Sequence, residues 1–69
     1  MNVYWSKKYN IYHFDSIYFT IKGKDYMLTG NKKIDGEVVD EFKDLTTGKH
    51  YKMKRSQLGE KLVAELHNK

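Results

Sequence analysis

Charge in this chain is sorted by sign on either side of a turn, and that sorting constrains the fold more than any other feature. Residues 35–44 carry Asp35, Glu37, Asp40, Glu41 and Asp44 against a single cation, Lys43. Residues 49–55 carry Lys49, Lys52, Lys54 and Arg55 and no acid. Between them lies Thr46-Thr47-Gly48-Lys49, where a type I turn can place Gly48 in the left-handed position. Folded back, residues 37–45 pair antiparallel with 49–55, and an acidic strand lies beside a basic one. In that hairpin Lys52 and Lys54 point outward and are expected to pair with Asp40 and Asp44. Such cross-strand pairs are worth about 0.2–1 kcal/mol each.

The remaining segments also read as short strands. In 17–22, Ile17, Phe19 and Ile21 share one face, and Tyr18, Thr20 and Lys22 the other. Gly23-Lys24 makes a tight turn into a return strand at 25–29, with Tyr26 and Leu28 on one face. Gly30-Asn31 is expected to end that strand, because both residues tolerate positive φ. Asp35-Gly36 is a further hairpin signal. Val38 with Val39, and Phe42 with Leu45, cannot all face one core, so a bulge is expected near Asp40-Glu41. The segment before these strands is rich in aromatic residues but irregular, with a short strand at 9–14. Ser56 reads as a helix N-cap. Leu58, Leu62 and Leu66 then repeat every four residues on one helix face, with Val63 beside them. Gly59 weakens the first turn by roughly 1 kcal/mol relative to alanine, and Asn68-Lys69 is expected to fray.

These elements predict one domain over residues 1–69. Residues 1–16 form an aromatic N-terminal segment, 17–55 the antiparallel sheet and 56–67 a helix. The fold class is mainly β with one C-terminal α-helix. Turn spacing favours a small antiparallel SH3-like barrel or a strongly bent sheet of about four or five strands. Expected core residues are Ile17, Phe19, Ile21, Leu28, Phe42, Tyr51, Met53, Leu62 and Leu66. Over residues 17–66 the element order and basic charge are similar to SH3-like barrels, and the closing helix resembles the small basic archaeal chromatin proteins. That resemblance rests on no diagnostic motif and carries no binding residue across.

Composition matters at this size. A 69-residue chain buries only about 60% of its unfolded surface, so its stability is marginal. It has no cysteine, which excludes disulfides and thiolate metal sites. His13, His50 and His67 lack metal-ligand spacing, so neither a metal nor another cofactor is expected. Aromatic residues compensate: six Tyr, three Phe and one Trp, each able to bury on the order of 150–250 Å². The N-terminal residues lack the apolar core of a signal peptide. No apolar run approaches the ~20 residues that span a bilayer. The expectation is a cytoplasmic protein without a membrane partner.

Enzyme signatures are missing. There is no G-x-S-x-G, phosphate loop, HExxH or GxGxxG. His13 and Asp15 share a strand face, and Ser16 falls on the other, so no nucleophile is positioned. A domain this small is also expected to have little room for a pocket of ~300 Å³ or more. A non-enzymatic binding module is the expectation, with no small-molecule substrate.

Two partners fit. The net charge of +4 and the mixed basic and aromatic run at 49–55 suggest nucleic acid, held by phosphate contacts and base stacking with weak sequence preference. Lys22, Lys24, Lys52, Lys54, Arg55 and Tyr18 are the candidate residues. Lys7/Lys8 and Lys32/Lys33 add basic pairs with few acids nearby. The second class is a phage-type or accessory module that binds and modulates a host protein. It would use the exposed aromatics Tyr4 and Trp5, with Tyr9 and Tyr12 nearby, and an acidic edge at Asp40 and Asp44. Acids on that strand would repel phosphate, which weighs against nucleic acid. Sequence leaves the oligomeric state open.

Overall fold

Two left-handed residue pairs set the geometry of the main sheet. Lys22 and Gly23 have φ of 50° and 76°, and Asp35 and Gly36 have φ of 52° and 78°. Positive φ at both central residues is the type I′ signature, the turn whose twist matches paired strands. The computed structural model describes residues 2–67; the expected fraying of Asn68 and Lys69 lies outside them. Strands β1 (Val3–Ser6) and β2 (Ile11–Phe14) form a separate two-stranded hairpin. Strands β3 (Tyr18–Ile21), β4 (Lys24–Ile34), β5 (Glu37–Asp44) and β6 (His50–Lys54) form a four-stranded antiparallel sheet in that order. Helix α1 (Arg55–His67) follows β6 directly. The protein is thus mainly β with antiparallel sheets and one C-terminal helix.

The expected hairpin of 37–45 with 49–55 is present: β5 pairs with β6 from Val39↔Lys54 to Lys43↔His50. Gly48 adopts φ of 76° in the connecting turn. The first type I′ turn falls at Lys22-Gly23, one residue earlier than the expected Gly23-Lys24. Gly30-Asn31 does not end a strand, because β4 runs on to Ile34. The bulge expected near Asp40-Glu41 is absent from β5; one lies instead on the neighbouring β4. Leu28 pairs with Phe42 and Gly30 with Glu41, leaving Thr29 as the extra residue. It leaves β5 unchanged, where the conflict is settled by Val39 facing outward. Before Thr29, Tyr26 and Leu28 face the core, and after it Asn31 and Lys33 fall on that side. β5 alternates without interruption, with Val38, Asp40, Phe42 and Asp44 on the inner face. Val39 faces outward yet is buried, because its register neighbours are Lys32 and Lys54, whose long stems can cover it.

The core is centred on Phe19, Phe42, Leu58 and Leu62, with Val3, Phe14, Ile21, Tyr26, Leu28 and Met53 packed around it. Phe19 and Tyr26 stack at 5.3 Å between ring centroids, and Phe42 meets Phe19 edge-on at 5.4 Å. Helix α1 touches both sheets and joins them. Three expected core residues are exposed instead. Ile17 is 51% exposed because it precedes β3, where the chain crosses from the hairpin to the sheet. Tyr51 is 44% exposed because β6 is an edge strand, although its ring still stacks on Phe42 at 5.7 Å. Leu66 sits near the helix end, past the buried Leu62. Ser56 lies inside the first helical turn and is not the N-cap; the helix begins one residue earlier, where Arg55 is tied down. The barrel is not closed by strand pairing among the described residues, since β3 and β6 are sheet edges.

Candidate functional site

The outward face of the four-stranded sheet gathers cations that sequence had scattered. Register places Tyr18, Met27, Lys43 and His50 in one row across β3, β4, β5 and β6. The next row holds Gly30, Glu41 and Lys52, and a third holds Lys32, Val39 and Lys54. Rows lie about 6–7 Å apart along the strands. This face therefore presents Lys32, Lys43, Lys52 and Lys54 against Glu37 and Glu41, with Asp25 at the far corner beside Thr20. Lys54 meets Glu37 at 2.9 Å, and Lys32 meets Glu41 at 3.9 Å. The Glu37 hydrogen bond and charge push the Lys54 pKa up. Lys43 and Lys52 have no carboxylate partner within 4.0 Å among the described residues.

The acids expected beside these lysines point the other way. Asp40 is 1% exposed and Asp44 is 3% exposed. Asp40 pairs with Met53 in the ladder, not with a lysine, and its carboxylate accepts two bonds from Arg55. Arg55 Nε donates to Oδ2 at 2.6 Å and Nη2 to Oδ1 at 2.7 Å. Nη1 donates to the Tyr12 carbonyl at 3.4 Å, and the guanidinium lies 4.9 Å from the Phe14 ring centroid. Arg55 thus joins β5, β2 and the start of α1, and it is not available to a phosphate. Asp44 Oδ1 accepts from the backbone N–H of Thr46 at 2.7 Å and of Thr47 at 3.2 Å. The Thr46 amide, then Thr47 and the charge of Lys24, hold its carboxyl below the usual aspartate range against the opposing effect of burial. The acidic interface expected at Asp40 and Asp44 is therefore corrected: both are structural.

The other candidates separate. Tyr18 is exposed at the corner of the lysine face. Lys24 pairs with Ile21 on the opposite row, and Lys22 sits in the turn, its backbone N–H donating to Glu65 Oε1. Neither joins Lys52 and Lys54 on the outer rows. Tyr4, Trp5 and Tyr9 are exposed on the β1–β2 hairpin. Tyr4 lies 5.1 Å from His13, Trp5 packs edge-on against Tyr12 at 5.0 Å, and Lys8 lies 5.2 Å from the Tyr9 ring centroid. Lys43 and Lys32 were not recognised from sequence as members of the face. Strand periodicity carried the signal for Lys43, whereas the facing of Lys32 depends on the Thr29 bulge.

A cleft of about 380 Å³ lies where β3, β4 and the turn after β5 meet the C-terminal half of α1. This corrects the expectation that so small a domain has little room for one. No cluster of metal-ligating side chains occurs among the described residues, and none of their helices is long and apolar enough to cross a membrane. No family model matches this sequence, and neither a curated protein nor a solved structure is found to match it.

Proposed function

We propose that this protein is a nucleic-acid-binding module that sets its outer sheet face against the phosphate backbone. The observation that carries the reading is the burial of Asp40 and Asp44. Their charges were the main argument for phosphate repulsion, and both point away from the lysine face. Lys43 and Lys52 supply cations without carboxylate partners, Lys32 and Lys54 flank them, and Tyr18 offers a ring at the corner. Phosphate contacts give affinity without reading sequence, so the module binds with weak sequence preference. In this reading the bent sheet with its closing helix is an unclosed variant of the SH3-like layout.

The test is a titration of generic duplex and single strands across salt concentrations. Three or four contacts give a log–log slope of roughly −3 to −4 on duplex, at about 0.9 per contact. Lys43→Glu with Lys52→Glu abolishes binding, whereas Lys7→Glu with Lys8→Glu leaves most of it. Absence of binding at ~10 µM protein in low salt overturns the reading, since non-specific binders reach a Kd of about 10⁻⁴–10⁻⁶ M even at physiological salt. A second reading, a protein-interaction module, is favoured by the exposed Tyr4, Trp5 and Tyr9 on the hairpin, because aromatic anchors carry much interface energy. Loss of partner binding on Trp5→Ala, with no effect of the lysine variants, selects it.

A further inference from the structure

The cleft beneath the C-terminal half of α1 differs in character from the lysine face. Its buried lining is Phe19 and Leu62, with Tyr26 half-buried beside them, and its exposed lining includes Tyr18, Leu45 and Leu66. Large apolar side chains exposed around one concavity mark a surface that docks something, and a cleft of about 380 Å³ is of ligand-binding size.

Its charge is negative in a chain whose net charge is +4. Asp25 and Glu65 both line it. Asp25 Oδ1 accepts from Thr20 Oγ1 at 2.7 Å, and Glu65 Oε1 accepts from the Lys22 backbone N–H. Each carboxylate is held by one oxygen, and neither meets a lysine or arginine nitrogen within 4.0 Å among the described residues. Lys24, on the same hairpin, acts on Asp44. An apolar lining with two fixed carboxylates, neither met by a lysine or arginine among the described residues, is complementary to a cation on an apolar stem. The protein already uses that chemistry once, where Arg55 lies between the Asp40 carboxylate and the Phe14 ring.

A backbone edge adjoins the cleft. Ile21 pairs with Lys24 and Phe19 with Tyr26, and the Leu28 N–H donates to the Ile17 carbonyl at 2.7 Å. Residues 17, 19 and 21 therefore direct their backbone groups to β4. In an antiparallel ladder the intervening Thr20 directs its N–H and C=O away, towards the side where the cleft lies.

We propose that this cleft binds an extended segment of a partner protein in which an arginine is flanked by aliphatic residues. The guanidinium meets Asp25 and Glu65, the flanking side chains cover Leu45 and Leu66, and the segment's backbone pairs with Thr20 as a short added strand. The cleft adjoins the outer face at Tyr18 but includes none of Lys43, Lys52, Lys32 and Lys54, so the lysine variants and the carboxylate variants test the two proposals independently.

Isotope-labelled protein titrated with a capped hexapeptide carrying a leucine–arginine–leucine centre tests this by NMR. Amide shifts are expected at Thr20, Tyr26 and Leu62 and not at Lys43 or Lys52. Replacing the peptide's arginine by glutamate abolishes them, and replacing it by norleucine weakens binding about tenfold. Asp25→Asn with Glu65→Gln keeps the acceptor oxygens that hold Thr20 and Lys22, so the fold is retained while affinity falls about tenfold or more. Arginine amide alone binds much more weakly than the peptide. The proposal is overturned if the arginine and glutamate peptides bind alike, if the double variant binds unchanged, if shifts fall only on the lysine face, or if arginine amide matches the peptide.

Discussion

Arg55 is the last of the four cations after the turn, and in sequence it differs from Lys52 and Lys54 in its guanidinium and in falling one step out of their alternation. That difference decides its role. A planar, weakly hydrated fork can satisfy both oxygens of a buried carboxylate, which an ammonium cannot. Arg55→Met leaves Asp40 charged and unpaired inside the protein and is expected to cost about 3–5 kcal/mol in urea denaturation. Arg55→Lys fails to restore it, while Arg55→Met with Asp40→Leu recovers much of the loss. A single Arg55→Met variant as stable as the parent would refute the pairing. Gly59 gives a second test. A Cβ built at this position overlaps the Tyr12 ring, so the glycine is required by packing and is not simply a weak helix former. Gly59→Ala normally gains about 1 kcal/mol in a helix interior; here it destabilises. In a Tyr12→Ala background only the Cβ of residue 12, at 3.0 Å, stays close, so the cost shrinks, and the difference is read as coupling in a double-mutant cycle.

Elements show where local chemistry suffices. The type I′ turn at Asp35-Gly36 and the left-handed Gly48 are legible because positive φ needs particular residues, and no distant contact is required to choose them. The turn after β5 is also held by Asp44, whose carboxylate accepts from Thr46 and Thr47. Its folded pKa is depressed, so its stabilisation is full above the unfolded aspartate value, near 3.9. That stabilisation is lost as pH falls through the lower folded value. Asp44→Ala is therefore expected to destabilise at pH 7, and the difference from the parent shrinks below about pH 4, near the unfolded aspartate value; a difference independent of pH would contradict it. The conflict within β5 was legible, but its solution was not: β5 runs unbroken with Val39 turned outward, and the bulge lies at Thr29 on β4, where no local signal marked it. β1 was missed because Val3–Ser6 lacks alternation of its own and gains its order from pairing with β2 and from docking on the helix.

At the scale of the whole molecule, one short helix covers the inner face of the sheet and receives the β1–β2 hairpin. Leu62, buried against Phe19 and Phe42, should therefore hold both sheets: Leu62→Ala is expected to cost about 2–5 kcal/mol. Amide exchange should then quicken in β2 and β5 together. Leu66→Ala, at an exposed position, should cost much less. Protection lost from the helix alone would show that the hairpin folds without it. Sequence alone determined the mainly β class with its C-terminal helix, two of the three hairpin turns of the main sheet and the third to within one residue, the apolar helix face and much of the core, because these follow from local backbone preferences and from periodicity. It also marked Lys52, Lys54 and Tyr18, which the sheet does place on one face. Only the tertiary structure decided the direction of the charges. Asp40 and Asp44 turn inward, Arg55 leaves the basic strand to meet Asp40, and Lys32 and Lys43 join the outer face. A side chain's face follows the alternation of its own strand and any interruption in it, and only the folded sheet shows that β5 runs unbroken while Thr29 shifts the second half of β4.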